Sequence, residues 1–301
     1  MAKNFFNRYI WLIDTIRAHG HITFTDISDL WRDSALNDTG ERLSERTFFN
    51  HKDAIKDTFG ITIKFDKTLG YYLQDEDFDT DGIRSWLLAS LSVNNTLTEG
   101  TDMRSRILFE REPSGEKYLS SVIRAMREGK QLEISYRKFK DDEAKTFDIC
   151  PFALKIFKQR WYLIGGKNSK DLEPHIYALD RVEYLQQTRR DFKMPEKFDA
   201  EGYFSGYFGI VVDKNEKPQR IRLKVYDKQR HYLRTLPLHK SQKEVEIQPD
   251  YSIIEYWMAP TWDLDMDLMQ YADEVEVLEP ESLRNMMIEH AWEMLHGYKE
   301  A

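Results

Sequence analysis

Apolar positions at the start of the chain recur at helical spacing: Phe6, Ile10, Ile13 and Ile16 fall on one side of a helix, and Gly20 follows as a stop signal. Thr23 or Thr25 can cap a second helix that carries Ile27, Leu30 and Trp31 on one face. A third begins at Ser44, has Glu45 and Arg46 in its first turn, points Phe48, Ile55 and Phe59 inward, and ends before Gly60. The period then drops to two. Ile61, Ile63 and Phe65 alternate with Thr62 and Lys64, Lys67 to Gly70 reverses the chain, and Tyr71 to Leu73 returns. Three helices followed by a two-stranded wing predict a winged helix-turn-helix over residues 1–75.

Gln74 to Asp81 is acidic and runs into an Asp-Gly pair, the mark of a domain boundary. A helix over Ile83 to Val93 and a polar loop over Asn94 to Thr101 make residues 76–114 a linker. Leu119, Val122, Ile123 and Met126 then form a helical face that stops at Gly129. Short strand-like runs follow at Leu132 to Tyr136, Thr146 to Leu154, Trp161 to Gly165 and His175 to Leu179, a spacing that predicts a small β-barrel within residues 115–200. Beyond the turn-rich Glu201 to Gly209, a strand through Ile221, Leu223 and Val225 leads into a short helix at Tyr232 and Leu233. A hairpin from Val245 to Met258 turns at Pro249 and Asp250. A helix near Leu264 to Tyr271, a strand from Val275 to Leu278 and a long helix from Pro280 to His296 close the chain. That βαββαβα order predicts a ferredoxin-like α+β module over residues 201–301, and a multidomain α+β protein overall.

The 301 residues suffice for two or three domains, and 41% hydrophobic with 32% charged residues is a globular composition. Lys3, Asn4, Asn7 and Arg8 interrupt the aromatics of the first eleven residues, which excludes a signal peptide, and no stretch of about 18 uncharged apolar residues offers a membrane span. The chain therefore reads as cytoplasmic. Its single cysteine, Cys150, can form no internal disulfide and, with no histidine near it in sequence, reads as a small buried hydrophobe. The net charge of −8 argues at first against a nucleic-acid partner. From Trp262 onward, however, Arg284 and Lys299 stand against eleven acids, so this C-terminal stretch carries −9 and the rest of the chain +1.

Three motifs in the barrel region carry chemistry: Pro151 to Leu154, Arg160-Trp161-Tyr162-Leu163-Ile164-Gly165, and Tyr177 through Asp180 and Arg181 to Val182. Strand alternation sends Trp161 and Leu163 to one face, as core, and Tyr162 with Arg160 to the other, where a phenol and a guanidinium can grip phosphate or stack on a base. With Ile134 to Tyr136 before them and Phe204 to Gly209 after, these motifs resemble the WYL family of bacterial regulators. The family layout is a winged helix, a WYL barrel of SH3 or Sm type, and a C-terminal extension called WCX. The resemblance implies a homodimeric transcription regulator whose barrel binds an effector, a nucleotide or a fragment of single-stranded DNA or RNA. On it, Tyr136, Arg137, Arg160, Tyr162, His175, Tyr177 and Arg181 are the ligand-binding candidates. The chain departs from the family at His175 and Ala178, where arginines are frequent; His175 is a weaker, pH-sensitive cation. Asp180 and Arg181 fit a structural ion pair as well as a ligand clamp.

In the front module, Ser44 to Thr47 followed by Asn50, His51 and Lys52 resembles the recognition helix of related repressors. Ser44 is its cap. In that docking mode Arg46, Thr47 and Asn50 reach base edges, while His51, Lys52, Lys56, Lys64 and Lys67 address phosphates of a double-stranded, palindromic operator. Glu45, Asp53 and Asp57 balance part of this charge.

Asp263, Asp265 and Asp267 with Glu274 imitate a calcium loop, but Leu268 occupies the position that needs glycine. No metal-ligand pair, cofactor-binding glycine loop or nucleophile elbow is present, so neither a metal nor a cofactor is expected. The alternative is a nucleotide-processing enzyme or a single-strand-binding module built on the same pocket; the sequence shows no general base beside Tyr162, which speaks against the enzyme.

Overall fold

The structure is a computed structural model that describes residues 2–34, 36–37, 39–74, 113–168 and 170–299. It divides into two compact units, Met1–Glu110 and Arg111–Ala301. The expected linker helix over 83–93 and the loop over 94–101 lie outside the described residues.

In the first unit α1 (Ala2–His19), α2 (Phe24–Arg32) and α3 (Glu45–Phe59) precede a hairpin of β1 (Ile63–Asp66) and β2 (Gly70–Leu73). Of the two candidate caps, Thr23 starts α2, its side chain accepting from the Asp26 amide; Ser44 starts α3 by accepting from the Thr47 amide. Gly60, at φ 68°, ends α3 with its N–H on the Lys56 carbonyl, a geometry that favours glycine. The hairpin is antiparallel, from Ile63 opposite Leu73 to Asp66 opposite Gly70, and Ile22 adds an antiparallel bridge to Tyr71. Asp66 Oδ1 accepts from the Thr68 and Leu69 amides and so holds the turn. Ile10, Ile13, Ile16, Ile27, Phe48, Ile55, Ile61 and Ile63 form the buried core.

Three expected core positions are exposed, and Phe59 is half-buried. Phe6 and Leu30 lie at the exposed margins of their helical stripes, and Phe65, beside the hairpin turn, rests on Tyr71 at 4.8 Å between ring centroids. Phe6 likewise leans on Phe59 at 5.4 Å.

The second unit opens with α4 (Leu119–Glu128), stopped by Gly129, and β3 (Lys130–Tyr136), β4 (Lys145–Phe157), β5 (Arg160–Gly166), β6 (His175–Ala178) and β7 (Val182–Asp191). All neighbours are antiparallel, in the order β6-β5-β4-β3-β7. The long β4 serves two partners, its first half pairing with β3 and its second with β5, with a bulge at Pro151–Ala153 where the pairing shifts. Val122 and Ala125 of α4 close the core over Leu132, Ile134, Ile149, Leu163 and Leu179; Ile123, expected on that face, is exposed. Cys150 is buried, and burial pushes its thiol up to about 11, so it stays protonated.

After α5 (Ala200–Phe204) come β8 (Gln219–Tyr226), α6 (Asp227–Thr235), β9 (Lys243–Ile247), β10 (Tyr251–Met258), α7 (Trp262–Met269), β11 (Val275–Glu279) and α8 (Glu281–Lys299). The antiparallel sheet order β11-β8-β10-β9 is the ferredoxin-like arrangement expected from the sequence. Among the described residues no helix is long and apolar enough to cross a membrane.

Candidate functional sites on the third helix and the barrel sheet

The cap at Ser44 fixes which side of α3 meets solvent. Phe48 and Ile55 point into the core, leaving Arg46, Phe49, Asn50 and Asp53 exposed at helical spacing. Thr47 is half-buried, its Oγ1 2.8 Å from Ser44 Oγ. Lys56, Lys64 and Lys67 are exposed and Lys52 is half-buried. Phe49, which is not among the residues expected at the interface, is 47% exposed beside Arg46 and Asn50. The signal was present, because adjacent phenylalanines on a helix cannot both face one core.

His51 corrects the expectation of a phosphate contact. It is buried against α1, edge-on to Tyr9 at 5.1 Å and Phe5 at 6.1 Å. Burial, and then the Arg8 guanidinium, push its pKa down to about 4, so the ring is neutral at pH 7. One turn after Thr47, the position falls on the Phe48–Ile55 side of the helix.

In the barrel, alternation places Leu163 in the core, with Trp161 half-buried against it, and Tyr162 on the opposite face, directly across from Lys155 on β4 and Ala178 on β6. The expected ligand residues do not form one open wall. Tyr136 and Tyr177 are buried core residues with ring centroids 5.6 Å apart, and burial, with Tyr136 second, pushes the Tyr177 phenol up to about 12. Tyr177 is in register with Leu163, which is why it turns inward. His175 is half-buried, 6.4 Å from Tyr177. Tyr162 is buried as well.

The arginines have taken protein partners. Arg160 Nε lies 2.9 Å from Asp180 Oδ2, and Arg137 pairs with Glu183. The Arg181 guanidinium sits 3.7 Å from the centre of the Phe139 ring, a contact that the spacing of the motif did not suggest. Arg181 is thus tied to Phe139 and its neighbour Asp180 to Arg160, so the two adjacent residues do not pair with each other.

The face that carries Tyr162 does have a cavity, displaced by one strand. It is an open groove of about 590 Å³ beside β4, lined by Lys155 and Phe157 and by Phe204, Phe208, Leu238 and His239. Lys155 Nζ donates to the Gly209 carbonyl at 2.5 Å and lies 3.7 Å from the centre of the Phe204 ring. Burial pulls its pKa down to about 8, against the opposing pull of Asp263. Gly209 has φ 82°, and a Cβ there would meet Asp263 Oδ2 at 2.4 Å, so no other residue fits. Asp263 in turn accepts from the Ile210 and Val211 amides, both at 2.7 Å. The other two acids of the calcium-like run are engaged likewise, Asp265 with His290 at 2.8 Å and Asp267 with Lys158 at 2.6 Å.

A family model described as the WYL domain matches residues 117–187, and one described as the WCX domain matches residues 217–295. No protein of curated function matches the chain. Among solved structures, proteasome accessory factor B/C (PafBC) of Arthrobacter aurescens is 16% identical with a TM-score of 0.36, the match covering 96% of this chain and 46% of that one. The chain thus spans about half the length of the Arthrobacter protein. A crystal structure of a CRISPR Cas-related protein is 10% identical with the same TM-score of 0.36, over 99% of this chain and 85% of that one.

Proposed function

We propose that this chain, which carries a WYL domain and after it a WCX domain, is a DNA-binding transcription regulator, a repressor that acts as a homodimer on a palindromic operator and answers to a nucleotide-like effector. The observation that carries the reading is the exposed side of α3. A polar-capped helix followed by a basic hairpin presents Arg46 and Asn50 to solvent, side chains suited to the O6 and N7 edge of guanine and the N6 and N7 edge of adenine. Lys56, Lys64 and Lys67 flank them as phosphate contacts, in the pattern of a winged helix-turn-helix. The WYL barrel is the sensing element and the WCX module the dimerisation element in this reading. Two weak half-site contacts on one duplex then add through effective concentration, which offsets the balanced charge of residues 1–74, where ten lysines and arginines face ten acids.

The test is selection of bound fragments from genomic DNA by the full chain, followed by gel shift on the selected sequence. Arg46→Ala and Asn50→Ala should each weaken binding by about 1–3 kcal/mol. Unchanged affinity in both removes α3 from base readout, and failure to enrich any sequence removes the regulator reading itself.

A further inference from the structure

We propose that the effector is a ring-bearing organic anion of mononucleotide size and that it binds in the groove beside β4, with its anionic group on Lys155 and its ring against the wall that Phe204 and the touching pair Phe157 and Phe208 form, and not at the Arg160–Asp180 motif. The inference rests on the regulator reading only in calling this ligand an effector.

Volume comes first. About 590 Å³ lies within the 300–1,000 Å³ or so typical of small-molecule sites. The walls are aromatic and aliphatic, which favours a flat apolar body over a hydrated ion. Into this lining projects a lysine, a group that proteins bury only with a partner.

Its partners in the fold leave it unsaturated. An ammonium has three protons. Among the described residues Lys155 makes one hydrogen bond, to the Gly209 carbonyl, and rests on the Phe204 ring. Asp263, the acid that opposes the effect of burial, already spends Oδ2 on two backbone amides. Tethering the Phe204–Gly209 segment to β4 requires a single donor, so the remaining protons are available to an incoming oxyanion. Of the other charged groups at the rim, Lys240 is bound to Glu201 at 3.2 Å, and the His239 ring, bonded to Ser241 at 2.7 Å, is held neutral mainly by its burial.

The cavity also sits where an occupant can be felt. Lys155 is in register with Tyr162 of the central motif, and the far wall belongs to residues 200–209, which lead into the ferredoxin-like module, and 237–240, which lie within it. A ligand that draws Lys155 off Gly209 loosens the tie between the barrel and that module.

Calorimetric titration of the full chain, without DNA, tests this with four probes. AMP carries a ring and a phosphate, indole-3-acetate a ring and a carboxylate, adenosine a ring alone, and inorganic phosphate a charge alone. At least one of the first two should bind ten-fold or more tightly than both controls, and which one does tells a nucleotide from an aromatic acid. Lys155→Met and Phe204→Leu should each weaken that binding ten-fold or more in protein that circular dichroism shows to be folded at the assay temperature, while Arg160→Ala leaves it unaltered. If neither anion binds at millimolar concentration, or if binding ignores Lys155 and Phe204 and follows Arg160, the proposal is overturned. Binding that is intact in a protein with no operator upholds the cavity and overturns the regulator reading alone.

Discussion

Arg160 on β5 and Asp180 in the turn at Leu179–Arg181 form an ion pair of 2.9 Å that holds the passage from β6 to β7 against the neighbouring strand. Both side chains are partly open to water, at 34% and 22% exposure, so screening limits the strength of the pair. A double-mutant cycle with Arg160→Ala and Asp180→Ala, followed by urea unfolding, should return a coupling of about 0.5–1 kcal/mol. A coupling of zero would mean that Arg160 is free to leave Asp180 for a ligand.

His51 makes the front unit acid-sensitive. Its folded pKa is about 4 against an ordinary value of 6.5, so between those pH values the unfolded chain holds more protons than the folded one. Stability is therefore intact above pH 6.5 and is lost as pH falls toward 4, by up to about 3 kcal/mol. Hydrogen exchange of the α3 amides in the full chain, compared at pH 7 and pH 4.5 after correction for intrinsic rates, should show this loss. His51→Leu should flatten it, whereas an equal loss in that variant would assign the effect elsewhere.

The exposed Phe49 stands beside Arg46 and Asn50, two side chains suited to base edges, and an apolar ring in the major groove finds one apolar feature there, the C5 methyl of thymine. Replacing thymine by deoxyuridine through a selected operator should weaken wild-type binding by a few-fold at one position in each half-site. Phe49→Ala should bind both operators alike. A variant that still discriminates them would place Phe49 outside the groove.

These assignments differ in how far the chain itself announced them. The periodicity of Ile10, Ile13 and Ile16, the caps at Thr23 and Ser44, and the alternation through Ile221, Leu223 and Val225 are local signals, and the corresponding elements formed where those signals stood. Val182–Asp191 is polar along most of its length and becomes β7 only by pairing with β3, a non-local condition that no short window reveals. The sites follow the same division. Alternation correctly put Tyr162 on the face opposite Leu163, yet could not show that Tyr177 shares register with Leu163, that Arg181 lies on Phe139, or that the open space on the Tyr162 face falls over Lys155. Such facts depend on which strands become neighbours.

Lys155 gives ligand binding a basic limit. Burial holds its amine near pKa 8, with Asp263 pulling the other way and the neighbouring charges Lys240 and Glu201 paired with each other. Raising the pH through 8 removes the proton that would address an anion, so affinity for the binding probe should fall by about ten-fold for each unit above the titration point of the amine. An anion at the amine raises its pKa in the complex, so the fall begins near 8 and levels off only above that raised value. Lys155→Arg keeps its charge throughout this range and should bind with no such fall. Affinity that is level from pH 7 to 10 in the wild type would show that Lys155 does not touch the ligand.

Salt dependence separates the residues that touch phosphate from those that only looked placed to do so. Each phosphate neutralised by a lysine contributes about −0.9 to the slope of log affinity against log salt concentration. Lys56, Lys64 and Lys67 are exposed, and if they are the proposed phosphate contacts, substituting any one by alanine should make the slope shallower by about 1 per protomer while leaving sequence preference unchanged. His51 is buried and neutral at pH 7, so His51→Gln should leave the slope as it is, even where it alters stability. A slope that responds to His51 and ignores the three lysines would mean that the duplex lies against a different side of the front unit, and Arg46 and Asn50 would then lose their assignment to base edges.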